Sequence, residues 1–206
     1  MAGKPGRARR ESFSERRERR AAIDDPQVVL NAAARFLEAR SRSADEVRRH
    51  LIQAGYRAEL VESAVARLLE LGMLDDQAFA RMWVESRDRA RPRSESVLRR
   101  ELAQKGIDRE LTAEIMDERR DRPGTDDAGG ADGGRGDGGR RHGGPDMLAA
   151  ARLLQKKASA LARVADPRER RRRAYALLAR NGFDPDVCRE AVNRSLTSTD
   201  DGEPPA

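Results

Sequence analysis

The chain contains two histidines, His50 and His142, and a single cysteine, Cys188. Nucleophilic catalysis needs a Ser or Cys beside a base that a third group orients. His50 falls in an amphipathic helical pattern, His142 in a glycine-rich tract and Cys188 among apolar positions, so no such trio forms. A zinc site would draw on about four Cys or His ligands, and these three residues are too scattered to supply one. Asp75-Asp76 has the composition of an acid/base or metal pair. Two adjacent carboxylates at a helix start instead cap the helix and complement its dipole. The expectation is a binding protein that is not an enzyme and uses neither cofactor nor metal. The chemistry that does recur is that of arginine, whose planar fork of donors fits phosphate and carboxylate. Arg48-Arg49 and Arg99-Arg100 stand 51 positions apart, Arg87, Arg89, Arg91 and Arg93 alternate along one segment, and Arg170-Arg171-Arg172-Arg173 form a run.

The elements that position these arginines repeat. Val47 to Tyr56, Leu98 to Ile107 and Ala174 to Phe183 each read as a short amphipathic helix, a glycine stop (Gly55, Gly106, Gly182) and a large apolar residue, and a second amphipathic helix follows each. Apolar positions of the first copy map onto the second at an offset of 51. The third copy stands 76 positions beyond the second, and the surplus is nearly the length of the Gly-, Asp- and Arg-rich tract from Arg120 to Pro145. That tract reads as an insertion. A helical unit of this size cannot bury its apolar face alone, whereas stacked copies can. No segment alternates like a strand. The expected fold is therefore all-α, an elongated array of three tandem three-helix repeats.

Start and stop signals set the boundaries. A disordered basic arm is expected over 1–24, repeat 1 over 25–73, repeat 2 over 74–119, a flexible insertion over 120–145, repeat 3 over 146–197 and a disordered tail over 198–206. Asp25-Pro26, Ser43 with Glu46, Asp75, Ser94, Asp108, Asp166-Pro167 and Asp184-Pro185 supply helix starts. The first helix of repeat 2 is expected to bury Phe79, Met82, Trp83 and Ser86, and helix 58–71 to bury Val61, Val65, Leu68 and Leu69. One long helix from Asp146 is expected to open repeat 3. The insertion lacks apolar residues, and its Arg135-Gly136-Asp137 triplet is an accident of composition. Its glycines have neither the preceding strand nor the following Lys-Ser/Thr of a phosphate loop.

Charged residues make up 38% of the chain and aromatics 3%, which leaves a core of Leu, Val and Ala suited to thin helical layers. Of the net charge of +6, the segment Met1–Ala22 supplies most, with eight Lys/Arg against three Glu. Such an arm is drawn to phosphate polymers by counterion release. No apolar run approaches the ~20 residues needed to span a bilayer, and no hydrophobic segment follows the N-terminal charges as in a secretory signal. A soluble, cytoplasmic monomer without membrane contact is expected.

Leu69-Glu70-Leu71-Gly72-Met73-Leu74-Asp75-Asp76-Gln77-Ala78-Phe79-Ala80-Arg81, then Ser86-Arg87 and Leu102-Ala103-Gln104-Lys105-Gly106-Ile107, resembles the RecX regulatory family. Arg40-Ser41-Arg42-Ser43 before Glu46-Val47, and Arg180-Asn181-Gly182-Phe183, are similar to further segments of that family. The resemblance implies tandem three-helix repeats. It also implies a regulator in DNA repair, the SOS response and homologous recombination, which binds the filament RecA forms on single-stranded DNA and inhibits its ATPase, strand-exchange and co-protease activities. The twelve arginines named above are then the candidate contacts to RecA and to single-stranded DNA, with Arg48, Arg49, Arg99 and Arg100 first because they share one register of the repeat. The alternative is a helix-turn-helix transcriptional regulator, since Glu46 to Leu71 has that outline. Against it, the helix that would enter the groove carries Glu59, Glu62 and Glu70 and only Arg67.

Overall fold

The computed structural model describes residues 12–122 and 144–200, and every regular element among them is an α-helix. Residues 1–11, 123–143 and 201–206 lie outside the described residues. With them lie most of the expected insertion, its Arg135-Gly136-Asp137 triplet, His142 and most of the tail. The chain divides into two compact units, Met1–Phe79 and Ala80–Ala206, with α5 (Asp76–Ala90) running through the division.

In the first unit α2 (Pro26–Glu38), α3 (Ala44–Ala54) and α4 (Ala58–Glu70) form repeat 1. Asp25 caps α2 by accepting the Gln27 N–H at 2.8 Å, and Ser43 caps α3 by accepting the Glu46 N–H at 3.1 Å. Val29 and Ala33, Val47 and Leu51, and Val61, Val65 and Leu68 then meet in one core with Leu74. Each of the Val and Leu side chains contributes about 1.5–3 kcal/mol on burial. Leu69, expected on the inner stripe, is exposed, because it sits about 100° around the helix from Leu68.

The basic arm, expected without structure over 1–24, contains helix α1 (Phe13–Ala21). A capping box starts it: Ser12 Oγ accepts the Glu15 N–H at 3.2 Å, and the Glu15 carboxylate accepts the Ser12 N–H at 2.7 Å. Arg20 docks it, donating from Nη1 to the Ala54 carbonyl at 3.2 Å and lying over the Tyr56 ring. None of its residues is buried, so it has no apolar stripe by which to be recognised.

In the second unit α6 (Glu95–Gln104) and α7 (Arg109–Arg120) continue repeat 2, and α8 (Gly144–Lys156), α9 (Ala158–Ala162), α10 (Pro167–Arg180) and α11 (Pro185–Asp200) make repeat 3. The inner face of α5 differs from expectation. Phe79 is buried and Trp83 half-buried, but Met82 and Ser86 are exposed, and Ala80 and Val84 point inward. Those two are the register equivalents of Val29 and Ala33, so the offset of 51 places this face better than local apolar spacing does. The long helix expected from Asp146 breaks at Lys157 into α8 and α9. Met147, Ala150 and Leu154 of α8 pack with Leu178 of α10 and with Phe183, Val187, Cys188 and Ala191.

The three repeat glycines share the left-handed conformation, with φ of 105° at Gly55, 73° at Gly106 and 83° at Gly182. In each copy the next residue's N–H closes on a carbonyl five residues back: Tyr56 on Leu51, Ile107 on Leu102, Phe183 on Leu178. A Cβ on Gly182 would collide with Val97 Cγ2 and stand 2.9 Å from Ser94 Oγ, whereas Gly72, at φ 67°, has nothing within 4 Å. Gly72→Ala should therefore cost only the left-handed penalty of about 1–2 kcal/mol, and Gly182→Ala about 2–3 kcal/mol because overpacking is added. Thermal melts of the two variants check the order, and equal losses would show that the Gly182 contact yields freely.

Candidate functional site

One polar device recurs where consecutive repeats meet. The N–H of Ala44, first residue of α3, donates to Asp76 Oδ1 at 2.8 Å. The N–H of Glu95, first residue of α6, donates to both carboxylate oxygens of Asp146 at 3.0 and 3.1 Å. Ala44 and Glu95 are register equivalents, and the caps before them, Ser43 and Ser94, are buried. The first turn of each following repeat thus completes the capping of the preceding one. Asp75 accepts the Ala78 N–H at 2.8 Å and caps its own helix, while Asp76 reaches back to α3. Burial pushes the Asp76 carboxyl up, against the pull of the Ala44 N–H and Arg48.

At the second of these junctions lies a buried ion cluster that apolar patterning does not reveal. Arg119 is 3% exposed. It grips Asp88 with two bonds, Nη2 to Oδ1 at 2.9 Å and Nε to Oδ2 at 3.0 Å, and holds Asp146 through Nη1 at 3.0 Å. Burial opposes the charge on Arg119, but the bond and charge of Asp88 together with Asp146 outweigh it and raise its pKa. For Asp146 burial prevails over Arg119, and its pKa is raised. The signal available in sequence is register: Asp88 and Arg119 occupy the places of Leu37 and Leu68 in repeat 1.

The twelve candidate arginines divide by what holds them. Arg48 bonds Glu62 at 2.6 Å and lies 3.8 Å from Asp45, which also holds Arg49 at 2.8 Å. In repeat 2 the equivalents of Glu62 and Asp45 are Ala113 and Ser96. Arg99 consequently turns to Glu95, shared with Arg120, and Arg100 is exposed without an ion pair among the described residues. Arg87 bonds Glu101 at 2.7 Å beside Trp83, and Arg93 bonds Asn181 at 2.6 Å. Arg170 donates twice to the Val164 carbonyl, and Arg172 and Arg173 both bind Glu169. Arg89, Arg91, Arg100 and Arg171 remain exposed, with no ion pair among the described residues. The expected stripe of Arg48, Arg49, Arg99 and Arg100 is therefore uneven: among the described residues the first three have ion-pair partners and Arg100 has none.

A cleft of about 1100 Å³ beside α6 is lined by Arg99, Arg109 and Arg120 and equally by Glu95, Asp146 and Asp184, so its charge is balanced. Cys188 is buried, its thiol directed at the Phe183 carbonyl 3.5 Å away, and burial pushes its pKa up. That is an inert thiol. Among the described residues no group of three His, Cys, Asp or Glu could hold a metal ion.

Three family models match in chain order: the first three-helix domain of RecX over residues 30–68, the second over 75–116 and the third over 147–192. This chain belongs to the RecX family. The regulatory protein RecX of Prosthecochloris aestuarii (strain DSM 271 / SK 413) is 37% identical over 94 residues, covering 46% of this chain and 62% of the relative. That of Chlorobium phaeobacteroides (strain BS1) is 28% identical over 174 residues, covering 84% of this chain and 97% of the relative. The chain thus matches about three fifths of the length of the first relative and nearly all of the second. The crystal structure of RecX from Lactobacillus salivarius is similar in fold, with a TM-score of 0.60 at 18% identity over 83% of this chain and 96% of that one. Helix α1 precedes the first RecX domain.

Proposed function

We propose that this chain is a negative regulator of RecA that binds the RecA–single-stranded DNA filament and inhibits its ATPase, strand-exchange and co-protease activities. The observation that carries this reading is the ordered run of three RecX domains along one chain. Repeated helical units meeting a repeating filament gain affinity because each contact raises the effective concentration of the next. The filament-facing groups in this reading are first Arg89, Arg91, Arg100 and Arg171, which surrender no ion pair with the described residues on binding. Arg48, Arg49, Arg99 and the others must first give up an internal partner. The protein acts as a cytoplasmic monomer. No described helix is long and apolar enough to cross a membrane.

The helix-turn-helix reading has less support. Its groove-entering helix would be α4, where Arg67 is held by Glu70 at 2.9 Å and Glu62 by Arg48, so that helix's single arginine is already committed.

Adding the purified chain to RecA on single-stranded DNA should suppress ATP hydrolysis at or below equimolar amounts, while the chain alone hydrolyses neither ATP nor DNA. Unchanged RecA turnover, or turnover by the chain alone, would sink the proposal.

A further inference from the structure

Aromatic side chains are scarce in this protein, with four Phe, two Tyr and one Trp in 206 residues, yet repeat 1 builds an ordered column from one of them. The rings of Phe36 and His50 lie face to face, 3.6 Å between centroids and 3° from parallel. The Arg42 guanidinium carbon is 3.7 Å from the same Phe36 centroid. Two groups this close to one centroid cannot share a face, so Phe36 is sandwiched between Arg42 and His50. Arg42 is fixed there by its Nε, which donates to the Phe36 carbonyl at 3.2 Å. The column runs guanidinium, benzene ring, imidazole. His50 is its end, and His50 is exposed. Phe36 covers one face of the imidazole, which leaves the other face and the edge as the surfaces for a ligand to meet.

Helix α1 brings cations to the same place. A Cβ on Gly55 would stand 2.9 Å from the Arg17 carbonyl oxygen and 3.0 Å from its Cα, so the backbone of α1 rests directly on the turn that ends α3. Arg20 spans from the Ala54 carbonyl to the Tyr56 ring, 5.6 Å from its centroid. Arg16, Arg17 and Arg19 are exposed along the helix. Burial, then the charges of Arg42 and Arg20, hold the His50 pKa below the usual histidine range, so the imidazole is a neutral flat ring at neutral pH with guanidinium groups beside it.

We propose that this flank of repeat 1 binds single-stranded nucleic acid, one unpaired base stacking on the open face of His50 while Arg20 and the exposed arginines of α1 hold the neighbouring phosphates. A flat neutral ring beside cations matches a ligand with a π-face next to anionic charge. In a duplex the base faces are already covered by their neighbours. An acidic protein surface would engage the arginines and leave the ring unused. The site lies partly on α1, ahead of the RecX domains, and it goes beyond the filament reading because it needs no RecA.

The test uses the full chain and free oligonucleotides, so that its failure leaves the RecA assay undisturbed. Fluorescence anisotropy would follow binding of a thymidine oligomer of about 15 nucleotides and of a duplex of equal length, a span within the site sizes of single-strand binding folds. His50→Ala should weaken binding of the single strand about tenfold and change duplex binding less than about twofold, since phosphate contacts alone hold the duplex. His50→Trp should retain single-strand binding, and in a Trp83→Phe background the oligomer should quench the emission of the introduced indole. Single-strand binding unchanged by His50→Ala, equal losses on both nucleic acids, or emission of the His50→Trp variant indifferent to the oligomer would each overturn the proposal. Circular dichroism confirms that the variants stay folded.

Discussion

Replacing Arg119 by leucine should destabilise the second unit by about 3 kcal/mol, because it leaves two half-buried carboxylates side by side without the buried cation that pairs them. Asp88 loses a bidentate partner and Asp146 a charge-assisted bond. The repeat register supplies a decisive control. Repeat 1 fills the equivalent places with Leu37 and Leu68, so Asp88→Leu combined with Arg119→Leu should recover most of the loss, since a buried ion pair replaced by well-packed apolar groups is often neutral or stabilising. Asp146 retains the Glu95 N–H in the double variant. Trp83, the chain's single tryptophan, lies in the same unit, and its fluorescence during urea unfolding reads this unit. A single variant as stable as wild type would mean that the cluster contributes nothing net. A double variant no better than the single one would mean that shape, not charge, is at stake.

Arg119 also shows where patterning stops being informative. The helices, their caps and the three glycine turns follow from local signals: a 3.6-residue apolar period, Ser or Asp at starts and Gly at stops. Interactions that join repeats are not local. Arg119 and Asp146 are 27 residues apart across the glycine-rich tract, and nothing in the composition of either neighbourhood pairs them. Local spacing places Met82 inside because it is apolar and near Phe79 on the helix wheel, but the face is set by what α5 packs against, which the register of Val29 and Ala33 encodes. Helix α1 escapes patterning for the opposite reason. Its helicity rests on a capping box and on Arg20, and it buries no apolar residue to mark it. The Phe36–His50 stack occupies the register positions of Arg87 and Glu101. One structural slot thus holds a ring stack in repeat 1 and an ion pair in repeat 2, and an apolar count sees neither.

The same distinction decides how the arginines should be tested. Reversing Arg48 or Arg99 to Glu would set a new carboxylate against Glu62 or Glu95 and break contacts within the fold, so weakened binding would follow from damage alone. Arg89, Arg91 and Arg100 carry no ion pair among the described residues, and exposed positions of this kind change stability by only about 0.5 kcal/mol. The triple reversal to Glu should therefore leave the helical signal and melting midpoint nearly unaltered. Binding to RecA filaments on single-stranded DNA should fall about a hundredfold, if each reversal costs on the order of 1 kcal/mol at the interface. Raising salt from low to physiological levels should shrink the difference between variant and wild type, because exposed charges are screened over about 8–10 Å. Phe13 to Ala21 provides the comparison: a variant lacking the arm through Ala21 removes diffuse positive charge and the α1 contacts but none of the repeat arginines. If that truncation abolishes filament binding while the triple reversal leaves it intact, the arm is the principal contact and the repeats serve only to present it.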